Sequence, residues 1–203
     1  MAVGIWLALL CAPPAAAEEV APGAGLPACG PRWATTLVSG DSGRVYDRPD
    51  KGILGCLTGA KPRMLARSRA DGRIPRLYPD AVAMQGAWVA YLENFIEVDV
   101  GDLEVGVMNL RTGRLRQCYL SRWAAAGWGW FSMKELVVGG SGSAAWIGVH
   151  EERSGRVREV AVCEGTAVSR LDSGPGIALN SLRLRGTVLT WTNAGSGRSA
   201  SLK

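Results

Sequence analysis

The feature that most constrains this chain is an internal echo at long range. MQGAWVAYLE (residues 84–93) aligns without gaps on LRGTVLTWTN (184–193), setting Gly86 on Gly186 and Tyr91 on Trp191. GGSGSAAWIG (139–148), with Trp146, is a looser third copy, and GDSGRVYDRP (40–49), with Tyr46, a fourth. The four aromatics are 45, 55 and 45 residues apart, and the first three copies are each followed by a glycine turn, at Thr58-Gly59, Thr112-Gly113 and Glu164-Gly165. A unit of this length that recurs holds several strands and buries its apolar face only against its neighbours.

Between the glycines run short β-branched and apolar stretches, among them TTLVSG, GILGCLTG, WVAYLENF, EVGVMNLRTG, KELVVGG and REVAVCEG, and no window keeps a helical period. In FIEVDVGDLEVGV the alternation sets Val98 and Val100 on one face and Glu97 and Asp99 on the other. We therefore expect an all-β, propeller-like chain of about four antiparallel blades, with an irregular β-sandwich as the alternative. Four strands are expected in residues 33–67, four in 82–120, four in 133–171 and three in 180–202. The last module is one strand short, so that either a strand is shared or the ring is open and a second molecule closes it.

Residues 2–12 form an uncharged apolar run ending at Pro13-Pro14, and Ala15-Ala16-Ala17 precede Glu18-Glu19. This pattern reads as a secretory signal over 1–17, cut after Ala17, because the run is about half the 20 residues needed to cross a bilayer. A flexible Pro/Gly-rich leader over 18–32, expected as a mobile tether, then precedes a domain over 33–203. With the signal removed, four cysteines remain: Cys29, Cys56, Cys118 and Cys163. An even number in an exported chain reads as disulfides, and with one histidine, His150, a zinc site is not expected. Four cysteines permit three pairings; we favour Cys29 with Cys56 and Cys118 with Cys163, each worth ~3–4 kcal/mol by loop entropy. The expected location is secreted, periplasmic or at the cell envelope, with no transmembrane segment in the mature chain.

The Gly-led apolar strand ending in an aromatic, followed by Asn109-Leu110-Arg111-Thr112-Gly113-Arg114, resembles the divergent repeat of exported WD40-like or TolB-type β-propellers. The resemblance spans roughly residues 33–202 and implies a scaffold for peptides, proteins or glycans, with no catalytic residue.

Several side-chain groups suggest chemistry. Gly40–Arg44 (GDSGR) resembles the nucleophile loop of trypsin-like proteases, but Ser42 lies early and is followed by Gly43-Arg44, so a β-turn is expected. His150 could act as a general base, and we read it instead as a solvated turn residue. Glu93, Glu97, Asp99, Asp102 and Glu104 could hold calcium or act as an acid/base set; their alternation with Val and Leu reads as the wet face of a ribbon. Lys61, Arg63, Arg67, Arg69, Arg73 and Arg76 stand against one acid, Asp71, and could attract an anion. Trp128 and Trp130 share a face if extended, offering a sugar platform or a protein hot spot, and otherwise pack between blades. The chain holds 19 Arg and 4 Lys, an excess attributed to codon bias.

From these residues we expect a non-catalytic binding module without a cofactor or metal, whose ligand residues are Arg63, Arg67, Arg69, Arg73, Arg76, Trp128 and Trp130. Its partners would be protein, peptide or anionic glycan and not nucleic acid, since export and the lack of stacking residues beyond Tyr78 argue against it. The competing readings are a secreted hydrolase using Glu97, Asp99 and Asp102, and a partial propeller that assembles with itself as a dimer.

Overall fold

A computed structural model describes residues 29–67, 81–97, 100–120, 131–152 and 155–202. These residues are all-β and build four antiparallel sheets in chain order, of four, four, four and three strands. The first holds β1 (Thr35–Gly40), β2 (Gly43–Arg48), β3 (Gly52–Leu57) and β4 (Arg63–Arg67), and the second β5 (Val82–Gln85), β6 (Trp88–Glu97), β7 (Val100–Asn109) and β8 (Leu115–Tyr119). The third holds β9 (Phe131–Val138), β10 (Ala144–Glu152), β11 (Gly155–Glu164) and β12 (Ala167–Ser173). The fourth holds β13 (Arg183–Arg185), β14 (Val188–Asn193) and β15 (Ser196–Ser201). The strand count matches the sequence expectation module by module.

Glycine sets the hairpins. Gly59, Gly113 and Gly165 each adopt positive φ in the turn that leads to the fourth strand of a sheet, where a Cβ would be strained. The four repeating aromatics occupy one position: Tyr46 lies on β2, Tyr91 on β6, Trp146 on β10 and Trp191 on β14, all buried. Ser42, in the turn between β1 and β2, shows GDSGR to be a turn, and its Oγ donates to the Gly86 carbonyl of the next sheet at 3.1 Å.

Successive sheets lie side by side in a propeller-like series, β1 against β5, β5 and β6 against β9, and β9 against β13. Each seam has an apolar core, because alternate residues of the second strand face opposite neighbours. Tyr91 and Val89 pack with Val45, Leu57 and Leu65 of the first sheet. Trp146 packs with Leu92, Val105 and Leu120 of the second, and Trp191 and Leu189 with Ile147 and Val160 of the third. So each aromatic faces the sheet before it.

Among the described residues no sheet precedes Tyr46, and the segment from Cys29 to Ala34 covers it. Cys29 and Ala34 join Tyr46, Leu54 and Cys56 in a small core, and Gly30 lies so close that a Cβ there would come within 2.4 Å of the Tyr46 ring. The buried Arg44 guanidinium holds this segment, donating to Cys29 O (2.7 Å), Pro31 O (2.8 Å) and Thr36 Oγ1 (2.9 Å) while it stacks on Tyr46. Residues 29–32, expected as part of a tether, are thus packed in place. At the far side the fourth sheet turns an exposed face outward, with Arg183, Arg185, Val188 and Thr190. The first side of the described series is thus covered by residues 29–34, and the last presents a largely polar face, as the ends of a repeat array require.

Two disulfides join the favoured cysteine pairs. Cys29–Cys56 ties the leading segment to β3, and Cys118–Cys163 ties β8 of the second sheet to β11 of the third. No helix among the described residues is long and apolar enough to cross a membrane.

Candidate binding face

Antiparallel order gives the series two ends. The turns β1–β2, β3–β4, β5–β6, β7–β8 and β9–β10 share one, as the Ser42–Gly86 bond and the Thr58 amide on Ser42 O (2.9 Å) require. At the other end β4 and β8 finish and β5 and β9 begin. Residues 68–80 and 121–130 connect these strand ends. Of the expected ligand residues, Arg69, Arg73, Arg76, Trp128 and Trp130 lie in those connections, outside the described residues, and Arg67 is the last residue of β4.

Arg63 stands apart. It opens β4 at the turn end, roughly 13 Å along the strand from Arg67. Its Nε donates to Leu110 O at 3.4 Å and its Nη2 to Arg111 O at 3.3 Å, across the seam to the second sheet. Arg116 does the same at the next seam, with Nη1 near Ser141 O and Gly142 O and its guanidinium over the Trp88 ring. Arg158 donates to Ile177 O at 2.7 Å, on the way to the fourth sheet. Part of the arginine excess is thereby structural: a guanidinium can bind two carbonyls at once, which an ammonium does less well.

Two of the five acids read as a ribbon's wet face prove otherwise. Glu93 and Glu104 are direct cross-strand partners in β6–β7 and both are buried, Glu104 to 2% exposure. They share the face of Tyr91 and so lie within the seam between the first and second sheets. Gln117 on β8 donates to Glu104 Oε1 at 2.7 Å. In the third sheet Glu159, fully buried on β11, takes Arg170 Nε of β12 at 3.2 Å. The two acids are equivalent: Glu104 precedes Gly106, which pairs with Tyr91 and Gln117, and Glu159 precedes Ala161, which pairs with Trp146 and Arg170, each by two residues. A buried carboxylate requires such a donor. The signal was present in the sequence, since Glu104-Val-Gly-Val repeats as Glu159-Val-Ala-Val. Side chains of Glu97 and Asp102 and all of Asp99 lie outside the described residues.

His150 also differs from its sequence reading. It sits within β10 opposite Phe131 and Val157, on the face of Trp146, and is buried rather than solvated. Burial follows from the face it shares, which packs on the second sheet. Burial and charge also act on the tyrosines: burial first, then the charges of Glu93 and Glu104, push the Tyr91 phenol well above its ordinary value, and its hydroxyl donates to Leu65 O at 3.2 Å. Among the described residues no three His, Cys, Asp or Glu side chains gather as a metal set.

Beside the strand ends, solvent meets an aromatic and a cation. Tyr119, the last residue of β8, is 60% exposed, and the buried Leu120 separates it from residues 121–130. Trp33 is likewise open, with the Arg48 guanidinium 5.3 Å from its ring and Arg48 paired with Asp50 in the β2–β3 turn at the same end. No protein-family model, curated protein or solved structure matches the chain.

Proposed function

We propose that the chain is an exported, non-catalytic binding or interaction module, and that its ligand face is the end of the sheets where β4 and β8 finish. The observation that carries this reading is the shared direction of those two strands. The Arg-rich connection that follows Arg67 and the Trp-rich stretch that follows Tyr119 leave the sheets from one end. Arginines supply multivalent contacts to an anion and Trp128 and Trp130 a flat apolar surface, a combination suited to an acidic glycan, a peptide or a protein. The two disulfides and the secretory pattern of residues 1–17 support an extracellular or periplasmic site of action.

The hydrolase reading rests on Glu97, Asp99 and Asp102, whose side chains fall outside what the structure describes; of the acids that it does describe, Glu104 and Glu159 are buried in seams beside Gln117 and Arg170, away from any sugar.

The test is a glycan and peptide array probed with the secreted wild-type chain and with a variant in which Arg67, Arg69, Arg73 and Arg76 are Ser. A sulfated or carboxylated ligand should be captured by the wild type and lost by the variant. Equal capture by both would remove the Arg-rich connection from the site.

A further inference from the structure

The third strand of each of the first three sheets has a fourth beside it, β4, β8 or β12, whereas β15 ends its sheet. Its pairing fixes which backbone groups lie on the open side. The Leu202 amide donates to Thr187 O, so in the alternation of an antiparallel ladder Ser196, Arg198 and Ala200 bond inward to β14. Gly197, Ser199 and Ser201 then direct both N–H and C=O outward, and among the described residues nothing pairs with them. Such an edge is a template for another strand. Among the described residues the edge is lightly guarded: Ser196–Ser201 reads SGRSAS, with no proline and a single charge, and its side chains are mostly exposed.

Charge selects the occupant. Residues 174–203 contain Arg183, Arg185, Arg198 and Lys203 and no Asp or Glu, while the acids that reach them from the third sheet are Glu135, paired with Arg183, and Asp172, near Arg198, so the sheet keeps a net positive charge. A second copy of this sheet would set like charges together, whereas an acidic strand is attracted. Arg198 is exposed on β15, and because it bonds inward, its outer side is a non-hydrogen-bonded site, where cross-strand side chains come closest.

We propose that the outer edge of β15 receives an extended acidic peptide segment of a partner, which adds as the missing fourth strand and sets a carboxylate opposite Arg198. Main-chain bonds to Gly197, Ser199 and Ser201 supply the affinity, and the charge supplies the choice of partner. This edge is distinct from the Arg-rich connection and does not depend on it.

The probe is a fluorescein-labelled peptide of four Glu-Val repeats, titrated by fluorescence anisotropy into the full secreted chain beside a Lys-Val counterpart and a Glu-Val peptide with a central proline. Only the uninterrupted acidic peptide should bind, and added salt should weaken it several-fold. Ser199→Pro removes one outward N–H without touching the β14 ladder, so binding should vanish while near-UV circular dichroism is kept. Arg198→Ser should weaken it about threefold. The variant with Ser at Arg67, Arg69, Arg73 and Arg76 should bind the peptide normally, which separates this edge from the proposed ligand face. Equal binding of the Lys-Val peptide, or undiminished binding by Ser199→Pro, overturns the proposal. So does concentration-dependent dimerisation that Ser199→Pro abolishes, which would assign the edge to a second copy. Binding that appears only after residues 18–28 are removed would assign it to the chain's own leader and overturn it equally.

Discussion

The ring of Tyr91 lies directly on Gly106, its cross-strand partner: a Cβ on that glycine would stand 2.5 Å from Cζ of the tyrosine. The aromatic can fill the seam between the first and second sheets only because β7 offers bare backbone beneath it. Gly106→Ala should therefore force Tyr91 from its place and cost about 1–3 kcal/mol, and Tyr91→Phe, losing the bond to Leu65 O, about 1 kcal/mol. Urea unfolding of the three proteins gives the order, and a Gly106→Ala protein as stable as wild type would remove the glycine from the argument.

The same seam controls tyrosine ionisation. Burial raises the phenols of both Tyr46 and Tyr91, with Arg44 and Arg48 working against the shift at Tyr46 and Glu93 and Glu104 adding to it at Tyr91. A raised folded value means that the stabilisation is complete below the unfolded phenol value and is lost as the pH rises through the folded one. Ultraviolet titration should show a late-ionising fraction that shrinks in Tyr91→Phe. Ionisation of every tyrosine near pH 10 in the folded chain would contradict the burial of these two.

Asp172 reports on the last seam. Burial raises its carboxyl, but the Trp191 indole (2.7 Å), the Asn193 amide and the Ser173 backbone N–H outweigh that and, with Arg198 nearby, the net shift is downward. Its contribution is present above the unfolded carboxylate value and is lost as the pH falls through the folded one. Asp172→Asn should flatten the acid limb of the stability curve, and Trp191→Phe should cost about 1.5–3 kcal/mol at neutral pH. An acid limb unchanged in Asp172→Asn would show that this carboxylate does not link the sheets.

Arg44 and the Cys29–Cys56 bridge hold one segment by independent means. Arg44→Met leaves the carbonyls of Cys29 and Pro31 without their donor and should cost about 2–4 kcal/mol. Replacing Cys118 and Cys163 by Ser, which opens a loop of 45 residues, should cost about 4 kcal/mol. Thermal unfolding measures both, and peptide mapping without reductant should recover the two linked pairs. Recovery of Cys29 linked to Cys118 would refute the pairing.

The β14–β15 turn carries a correctable strain. Ala194 (φ 50°) and Gly195 (φ 78°) form it, and a left-handed alanine is unfavourable where Asn-Gly is the preferred pair. Ala194→Asn should stabilise the chain by about 0.5–1 kcal/mol, read as a rise in unfolding midpoint; a fall would mean that the added amide clashes with Gly176, which the turn already crowds.

The repeat was legible because backbone conformation and burial both leave marks on residue type. A positive φ demands glycine at Gly59, Gly113 and Gly165, and a buried second strand demands the aromatic, so module count and strand count followed from spacing. The even cysteine count pointed to disulfides, but the choice among three pairings was a preference that only the packing of Cys29 on Cys56 and of β8 on β11 decides. What did not show was which face of a strand meets a neighbour. Glu93 and Glu104 alternate with Val as surface acids do, and only the packing of one sheet on the next puts them inside. His150 differs from its sequence reading for the same reason, and Arg63, though exposed, also bridges a seam to carbonyls 47 and 48 residues away, a role that no local window shows. Residues 29–32 looked mobile by composition, yet Arg44 and Cys56 fix them from a distance no local window covers.

That every repeating aromatic faces backward has a consequence for how the molecule is made. Tyr46 settles on Gly30, Tyr91 reaches Leu65, Trp146 packs on Val105 and Leu120, and Trp191 bonds to Asp172, in each case a surface that leaves the ribosome before the ring that needs it. No module needs a later one to cover its aromatic, so the order of the chain permits the sheets to assemble from the first to the last.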